Sequence, residues 1–388
     1  GTDSDSDSDS DRSTYCPHPP HEPLAWADQP PIQHIAIIIA AFCTVVATVL
    51  SLHLIYKHYV HFTNPDQQAH ICRILLMVPI YSITSWCSLW FNGLSVYFDV
   101  FRDCYEAFVI WEFFALLISY LGGPEQTVRA MDGKPPMEHP TPLCCLPLFV
   151  PGQRFFLHCK RYILQYVFVQ PLCAIATFIM QNLGVYCDGQ FIPRAGYTYM
   201  TTILFVSVTF SMYFLVLFYL VVEEELKEHR PLPKFLAVKA VIFFSFWQSV
   251  LLSALAYFGV IEPEGDWTTV DIGDAIDNFV ICVEMMIISL FHMYVFSYIP
   301  YKISPEERDS LLNDIERKRG PTFLNAVANP SDVWSEASTA FVRSPRQQGG
   351  ELLKEFLSCH SHERQRLIIV HGLYEKMGGA MAVHWKKY

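Results

Sequence analysis

The sequence predicts an all-α, polytopic membrane protein built as a bundle of seven transmembrane helices. Apolar residues make up 52% of the chain and charged residues only 17%, whereas soluble domains contain about 25% charged residues. The apolar residues form seven runs, each long enough to cross a hydrocarbon core of about 30 Å as a helix. Lys and Arg also concentrate in alternate connecting segments, which is typical of a chain that crosses a bilayer repeatedly.

Residues 1–31 combine an Asp-Ser repeat with a Pro-rich segment. We expect them to be disordered, because they have too little apolar area to bury. Part of the net charge of −11 lies in this repeat, and the apolar half of the chain is nearly uncharged, so a nucleic-acid partner is not expected. The first span is predicted from Ile32 to about Tyr59. The second is predicted from Ile71 to Phe98, with a kink near Pro79 that neighbouring side chains would compensate.

The third span, predicted from Phe101 to Leu121, contains the charges around which we interpret the rest of the chain. Asp103, Glu106 and Glu112 would lie at increasing depth in the membrane. An acid inside a span costs on the order of 2 to 3 kcal/mol, so it normally faces a cavity, a partner or a pathway. The end of the helix is predicted by the residues that follow it, Gly122, Gly123 and Pro124.

These acids have a functional and a structural interpretation. We expect Glu106 to form an interfacial pair with Arg102, which lies one helical turn away. Glu112 is out of reach of that pair, and we expect it to line a solvated path or to be protonated by burial. The structural alternative is that the membrane acids pair with a base such as Lys239 or Arg73.

The third span is followed by a loop, residues 124–158, with too many prolines for a helix and too many apolar residues for a plain linker. We therefore expect this loop to be held at a surface.

Residues 301–388 are predicted to form a polar, partly helical tail without a catalytic motif. Four further spans complete the count of seven: about Tyr162 to Tyr186, Tyr197 to Val222, Phe235 to Val260, and Ile276 to Tyr298.

The distribution of charged residues predicts an N-terminus outside the membrane and a C-terminus in the cytoplasm. Basic residues are frequent in the segments after the first, third and fifth predicted spans, and such segments favour the cytoplasmic side. The segment after the sixth predicted span contains no base. It carries instead the acids Glu262, Glu264, Asp266, Asp271 and Asp274.

Spans three, six and seven together predict a substrate site. Asp277 and Glu284 lie two helical turns apart on the seventh span and so share one face of that helix. Ionised acids there would repel an anionic ligand, so apolar and aromatic residues would supply most of the contact area of a lipid-like ligand. These aromatic residues are Trp86, Trp90, Trp111 and Trp247. The candidate substrate-binding residues are Glu106, Glu112, Trp111, Gln248, Asn278 and Glu284.

Six motifs occur along the chain in this order: RILLMVPIYSITSW, RDCYEAFVIWEF with its YLGG, KPP followed by a CC pair, KRYILQYVFVQP, VKAVIFFSFWQS and NFVICVEMM. Over about Ile32 to Lys302, the chain with these motifs resembles the organic solute transporter alpha-subunit family. The resemblance implies a seven-helix protein with its N-terminus outside, related to a subunit that moves steroid conjugates and bile acids down their gradients. It also implies a small single-span beta subunit as a partner; the other assembly considered is a homo-oligomer.

The resemblance further implies lipidation of Cys144 and Cys145, because alpha subunits of this family carry a lipidated cysteine cluster in the corresponding loop. Cytosolic cysteines beside a membrane with leucines around them are suitable for S-acylation, and an acyl chain contributes about 0.8 kcal/mol for each buried methylene. The alternative is that both are buried thiols that pack as small hydrophobic groups.

Together these observations predict a facilitative transporter of amphipathic organic solutes that are steroid-, bile-acid- or lipid-like. The alternative is a seven-span receptor or membrane scaffold without transport activity, which would have the same topology. We expect no enzymatic activity, cofactor or metal, because an intramembrane zinc hydrolase needs several His ligands and only His53 and His292 lie well inside spans. The expected partners include membrane lipids and the solute. The plasma membrane and an endomembrane, vacuolar or endosomal, both fit.

Overall fold

The computed structural model describes residues 31–91, 94–140, 148–186, 195–227, 233–238 and 269–302, together with residues 193, 248, 251, 252, 255, 258–261, 327 and 333. Apart from one isolated antiparallel bridge between Met137 and Phe149, every regular element in this part of the chain is helical. The predicted all-α fold is therefore confirmed for the residues described. The named helices lie in one compact unit that spans Gly1–Pro330.

The helices are numbered in chain order. They are α1 (Pro31–Val60), α2 (Pro65–Leu75), α3 (Met77–Trp90), α4 (Ser95–Tyr120), α5 (Pro124–Met131), α6 (Gln153–Asn182), α7 (Gly196–Val221), α8 (Glu223–Leu226) and α9 (Thr269–Val295), followed by a 3-10 turn at Ile299–Tyr301.

The first helix, α1, has two different faces. Ile35, Phe42 and Val49 repeat every seven residues along an exposed face, which suits contact with lipid. On the opposite face, Ala40 and Ala47 are completely buried where α1 packs against α3 and α9. Small side chains at such contacts let helix backbones approach closely.

The predicted second span is revised at both ends. It begins at Pro65 rather than Ile71, because Asn64 caps the helix and a proline fits the first helical position. It ends at Trp90 rather than Phe98. The helix is interrupted at Leu76, three residues before Pro79, since a proline inside a helix clashes with the carbonyl group four residues earlier.

The third predicted span begins earlier than expected and ends as expected. Helix α4 starts at Ser95, so Phe98 belongs to this helix. At the other end, Gly122 and Gly123 have φ values of 87° and 104°, which glycine adopts readily. Pro124 then begins α5, whose axis is bent by 74° from that of α4.

The prediction that the loop after α4 contains no helix is wrong for its first part. Residues Pro124–Met131 form α5, because the other prolines of this loop all come after that segment. The loop is also shorter than predicted, since α6 starts at Gln153 rather than near Tyr162. Pro171 lies inside α6.

The helices pack in a continuous order. Helix α7 contacts α6, α6 contacts α4, and α4 contacts both α2 and α3; α3 in turn packs against α1 and α9. Helix α4 is therefore central. Within the described residues, five helices are long and apolar enough to cross a membrane, or six if α4 and α5 count as one bent span.

Several predictions fall on residues that the structure does not describe. These residues are the N-terminal segment up to residue 30, for which disorder was predicted, Cys144, Cys145, Lys239, Trp247 and nearly all of the tail after Lys302. Only part of the predicted sixth span, Phe235 to Val260, is described. That part includes helical residues 235–238 and Gln248.

Candidate functional site

Glu112 lies at the centre of a buried ionic cluster between α2 and α4. Its two carboxylate oxygens are 2.9 and 3.1 Å from one guanidinium nitrogen of Arg73. Oε2 also lies 2.6 Å from Nδ1 of His70. We call these three residues the Glu112 cluster. His70 and Arg73 are three positions apart on α2, which places both on the face that packs against α4.

Additional contacts hold Arg73 in place. Its Nε atom donates a hydrogen bond to the carbonyl oxygen of Val327 at 3.2 Å. The hydroxyl group of Tyr105 donates to the carbonyl oxygen of Arg73 at 2.6 Å. Tyr105 precedes Glu112 by two helical turns and so approaches from the same face of α4. The ion pair is thus fixed from both helices.

This geometry supports the structural alternative for Glu112. The side chain is fully buried and Arg73 is 4% exposed, so neither residue meets a solvated path. We expected Glu112 to line such a path or to be protonated. The burial of Glu112 contradicts the solvated path, and Arg73 contacts the acid from a helix that the sequence does not identify as a neighbour. The other base considered, Lys239, lies outside the described residues.

A second group of charges lies closer to the start of α4. Arg102 is 3.2 Å from Asp99 and 3.9 Å from Asp103. It also donates to the hydroxyl of Ser85 on α3 at 3.2 Å, and its guanidinium group lies 5.6 Å from the ring centre of Tyr81. We call Asp99, Arg102 and Asp103 the Arg102 cluster.

The expected pair between Arg102 and Glu106 does not form. Glu106 instead accepts a hydrogen bond of 2.6 Å from the hydroxyl of Tyr81, while Arg102 forms its ion pairs with Asp99 and Asp103. The correction has a simple cause. Asp99 and Asp103 lie closer to Arg102 along α4 than Glu106 does, and α3 brings the tyrosine hydroxyl to Glu106.

The polar residues of α9 form a separate group. Gln248 donates to the carbonyl and carboxylate oxygens of Asp277 at 2.9 and 2.8 Å. Asn278 donates to the carbonyl oxygen of Asp274 at 3.0 Å. The remaining oxygen of the Asn278 amide is buried, as is Oε2 of Glu284, and neither atom has a hydrogen-bond partner in the described part of the chain.

The six predicted site residues therefore do not form one constellation. Among the described residues, no hydrogen bond or ion pair joins Asn278 or Glu284 to Glu106 or Glu112. Trp111 is 3% exposed and its ring packs 5.6 Å from that of Phe114, so it is part of the helix core. Gln248 binds Asp277 rather than an open surface.

Sequence reasoning missed two members of these groups, His70 and Tyr81. His70 precedes the predicted start of the second span and was therefore not assigned to a helix. Asn64 and Pro65 provide the signal that could have found it, since a capping residue followed by proline marks a helix start. Tyr81 carries no such signal, because an aromatic residue in an apolar helix is usually a packing residue.

A central helix whose buried charges pair with neighbouring membrane helices defines an all-α, polytopic membrane protein. The particular family follows from comparison with known proteins. The family model described as organic solute transporter Ostalpha matches residues 36–301, and the chain belongs to this family. The matched residues include both charged clusters and α9, and the resemblance stated from the motifs is confirmed.

A curated relative supports the same assignment. The chain is 35% identical over 293 residues to a transmembrane protein 184 homolog of Dictyostelium discoideum. The aligned residues make up 75% of this chain and 58% of the relative, so the chain spans less than two thirds of the relative's length. No solved structure matches the chain.

Proposed function

We propose that this protein carries an amphipathic organic solute across its membrane by facilitated diffusion. The observation that carries the proposal is a set of unsatisfied polar atoms on α3 and α9, two helices that pack against each other. Trp86 Nε1, Asn278 Oδ1 and Glu284 Oε2 are buried and have no hydrogen-bond partner among the described residues. Buried polar groups are normally paired, so a solute with its own polar groups would complete them.

The surroundings of Trp86 suit a lipid-like molecule. Trp86 packs with Phe279 and Val283 against a buried apolar cluster that includes Leu89 and Cys282. Ligand sites are typically apolar surfaces with a few polar groups that fix orientation. The printed description of the matching family, organic solute transporter, supports the same class of ligand.

A second part of the proposal concerns α4, the helix that carries both charged clusters. Arg102 and Glu112 are ten residues apart, which corresponds to about 15 Å along a helix. Charged residues inside a membrane usually face the bundle interior and mark pathways. We assign Glu106 and Asp103 to the polar side of the solute path. Glu112 and Trp111 are buried in the packing between helices and hold α4 in place on the side away from the solute path.

Flux through the purified protein tests the proposal. Protein reconstituted in liposomes should equilibrate a tritiated steroid sulfate or its unsulfated parent steroid between the two sides. Asn278→Ala, Glu284→Gln and Trp86→Phe should each slow this flux, because the first and third remove an unsatisfied polar atom and the second replaces a carboxylate oxygen by a donor. Asn182→Ala is the matched control, since Asn182 is exposed at the end of α6.

A receptor or scaffold is the competing function. It would bind the steroid with the same three side chains and leave it on one side of the membrane. Saturable binding without flux would therefore replace the transport proposal with this one.

Topology and surroundings complete the proposal. We propose seven spans, with the predicted span at Phe235 to Val260 as the sixth, an N-terminus outside and a cytoplasmic C-terminus. The Lys and Arg distribution supports this orientation. We also propose that the protein lies in the plasma membrane or an endomembrane. Its proposed partner is a single-span beta-type subunit or a second copy of the chain.

We also propose acylation of Cys144 and Cys145. Two hydrogen bonds of 2.9 and 3.1 Å join Met137 to Phe149, so the two ends of this loop segment are held together. Leu148 and Val150 are 53% and 67% exposed. Exposed apolar residues at the base of a loop beside a membrane bundle support a membrane-facing position, which is where an acyl chain would anchor.

A further inference from the structure

Four acids lie around one base near the start of α4. Arg102 is 3.2 Å from Asp99 and 3.9 Å from Asp103, and it interacts electrostatically with Asp277 of α9. Asp103 interacts in the same way with Glu106, about one turn further along α4. We call Asp99, Asp103, Glu106 and Asp277 the acidic group. These four carboxyl groups share one guanidinium group.

The neighbouring helices add no Lys or Arg to this site. Arg102 is the single Lys or Arg residue of α4, and α3 and α9 contain neither. Between Lys239 and Lys302, a stretch that includes all of α9, the sequence contains acids but no Lys or Arg. A surface with an excess of carboxylates raises the local concentration of cations and repels anions. The charge around the acidic group therefore favours a positively charged ligand.

Hydrogen bonds fix two of the four carboxyl groups. Glu106 accepts from the hydroxyl of Tyr81 at 2.6 Å, and Asp277 accepts from the amide of Gln248 at 2.8 Å. Both donors are neutral, so these hydrogen bonds orient the carboxyl groups without contributing a positive charge. The side chains of Asp99 and Asp103 are 37% and 44% exposed. A ligand can therefore reach the acidic group from outside the bundle.

Asn278 gives an independent indication of a ligand. Its side chain is 5% exposed, and its amide nitrogen donates to the carbonyl oxygen of Asp274 at 3.0 Å. The amide oxygen is buried and has no hydrogen-bond partner in the part of the chain that the structure describes. An amide oxygen can only accept hydrogen bonds, so the group that would complete it is a donor.

Contacts with α3 place Asn278 near the level of Arg102. The guanidinium group of Arg102 donates to Ser85 at 3.2 Å, and the thiol of Cys282 lies 3.7 Å from the carbonyl oxygen of Ser82. Ser82 and Ser85 are about one turn apart on α3, and Asn278 precedes Cys282 by about one turn on α9. The unsatisfied amide oxygen and the acidic group thus belong to the same layer of the bundle.

The same layer offers aromatic surface. The guanidinium group of Arg102 lies 5.6 Å from the ring centre of Tyr81, and aromatic faces attract cations. Further along α3, the ring centres of Trp86 and Trp90 are 5.8 Å apart. Carboxyl groups supply charge for a cationic head group, and aromatic rings supply contact area for an apolar body.

We propose that the acidic group and Asn278 bind the ammonium head group of a cationic amphipathic molecule. This inference rests on the proposed transport function and adds to it the charge of the solute. Asp103 and Glu106 supply the counter-charge, and Oδ1 of Asn278 accepts one N–H of the ammonium group. The adjacent positive charge in turn favours the ionised form of both acids.

This role differs from that of acids that only hold Arg102 in place. Replacing such acids would lower the stability of the protein and weaken the binding of all ligands alike. Replacing acids of a cation site changes affinity according to the charge of the ligand. A set of ligands with one body and different head groups therefore distinguishes the two roles.

The test compares three tritiated steroids that differ at one position, which carries an amine, a hydroxyl or a sulfate. Binding to and uptake by the reconstituted full-length protein are measured at about pH 7, where a primary amine is protonated. The wild type should bind the amine most tightly and the sulfate most weakly. Asp103→Asn and Glu106→Gln should each bind the amine about tenfold more weakly, because a charge-assisted hydrogen bond is lost. Their affinity for the hydroxyl steroid should be unchanged.

A gain of charge provides a second measurement. Asn278→Asp places a carboxyl group at the position of the unsatisfied amide, so it should tighten binding of the amine and weaken binding of the sulfate. A folding defect would not produce this opposite pair of changes. Glu125→Gln is the matched control, since Glu125 is an exposed acid in the first turn of α5, beyond the other end of α4.

Equal wild-type affinities for the three steroids, or tightest binding of the sulfate, would overturn the inference. If Glu106→Gln does not fold, Asp103→Asn and Asn278→Asp decide the matter. A wild type that binds the amine tightly without moving it keeps the cation site and removes the transport proposal. A wild type that binds and moves all three steroids equally keeps the transport proposal and removes the cation site.

Discussion

Arg73 on α2 and Glu112 on α4 form a buried ion pair, in which one guanidinium nitrogen lies 2.9 and 3.1 Å from the two carboxylate oxygens. Both side chains are at most 4% exposed. Removing one member of such a pair breaks a buried contact between charges, so the pair defines how α2 and α4 respond to substitution.

The first prediction is that Glu112→Gln destabilises the protein. The change breaks the buried ion pair between Glu112 and Arg73, which costs about 3 to 5 kcal/mol, and the melting temperature in detergent should fall. Glu224→Gln is the control, because Glu224 is 83% exposed and its pair with Lys227 is at 4.0 Å. An unchanged melting temperature for Glu112→Gln would show that the pair does not support the fold.

The double variant Arg73→Met with Glu112→Leu gives a second prediction. It replaces both charges of the pair with apolar residues, so it should recover much of the stability that Glu112→Gln loses. Melting curves of the two preparations in the same detergent provide the comparison. A double variant less stable than Glu112→Gln would contradict this account.

The third prediction concerns the contact between Tyr81 and Glu106. Tyr81→Phe removes the hydroxyl that donates to Glu106 at 2.6 Å, and leaving this partly buried acceptor unsatisfied costs on the order of 1 kcal/mol. Tyr199→Phe removes a hydroxyl that donates to Pro193 at an exposed site and should change the melting temperature little. Equal melting temperatures for both variants would argue that the Glu106 contact is not needed.

The comparison of sequence and structure shows which features are local. The helix end at Gly122 and Gly123 was predictable, because glycine and proline act through the backbone of a few adjacent residues. The charges of α4 were also identified in advance. Their partners could not be identified, because Arg73 and Tyr81 contact α4 from other helices. Which helices pack together cannot be predicted from a single sequence.

The fourth prediction tests the proposed orientation. A tag inserted in Pro263 to Asp271 should be labelled on intact cells or sealed vesicles, and a tag after Lys302 only after permeabilisation. The physical reason is the segment's lack of Lys and Arg, residues that are retained on the cytoplasmic side. The reverse labelling pattern would invert the proposed topology.

The fifth prediction concerns the cysteine pair. Replacing Cys144 and Cys145 with Ser should remove part of any hydroxylamine-sensitive acyl label, because thioesters form on accessible thiols beside a membrane. Cys159→Ser is the control, since Cys159 is fully buried in α6. A label that survives the double replacement would place the acyl chain elsewhere.

The position of both charged clusters on α4 has a mechanical consequence. A helix of 26 residues transmits rotation along its whole length, because its backbone hydrogen bonds resist local twisting. If α4 turns about its axis, Glu112 must leave Arg73 in the same movement in which Glu106 leaves Tyr81. The two contacts then open together. Rotation of α4 therefore couples the contact between Glu112 and Arg73 to the contact between Glu106 and Tyr81.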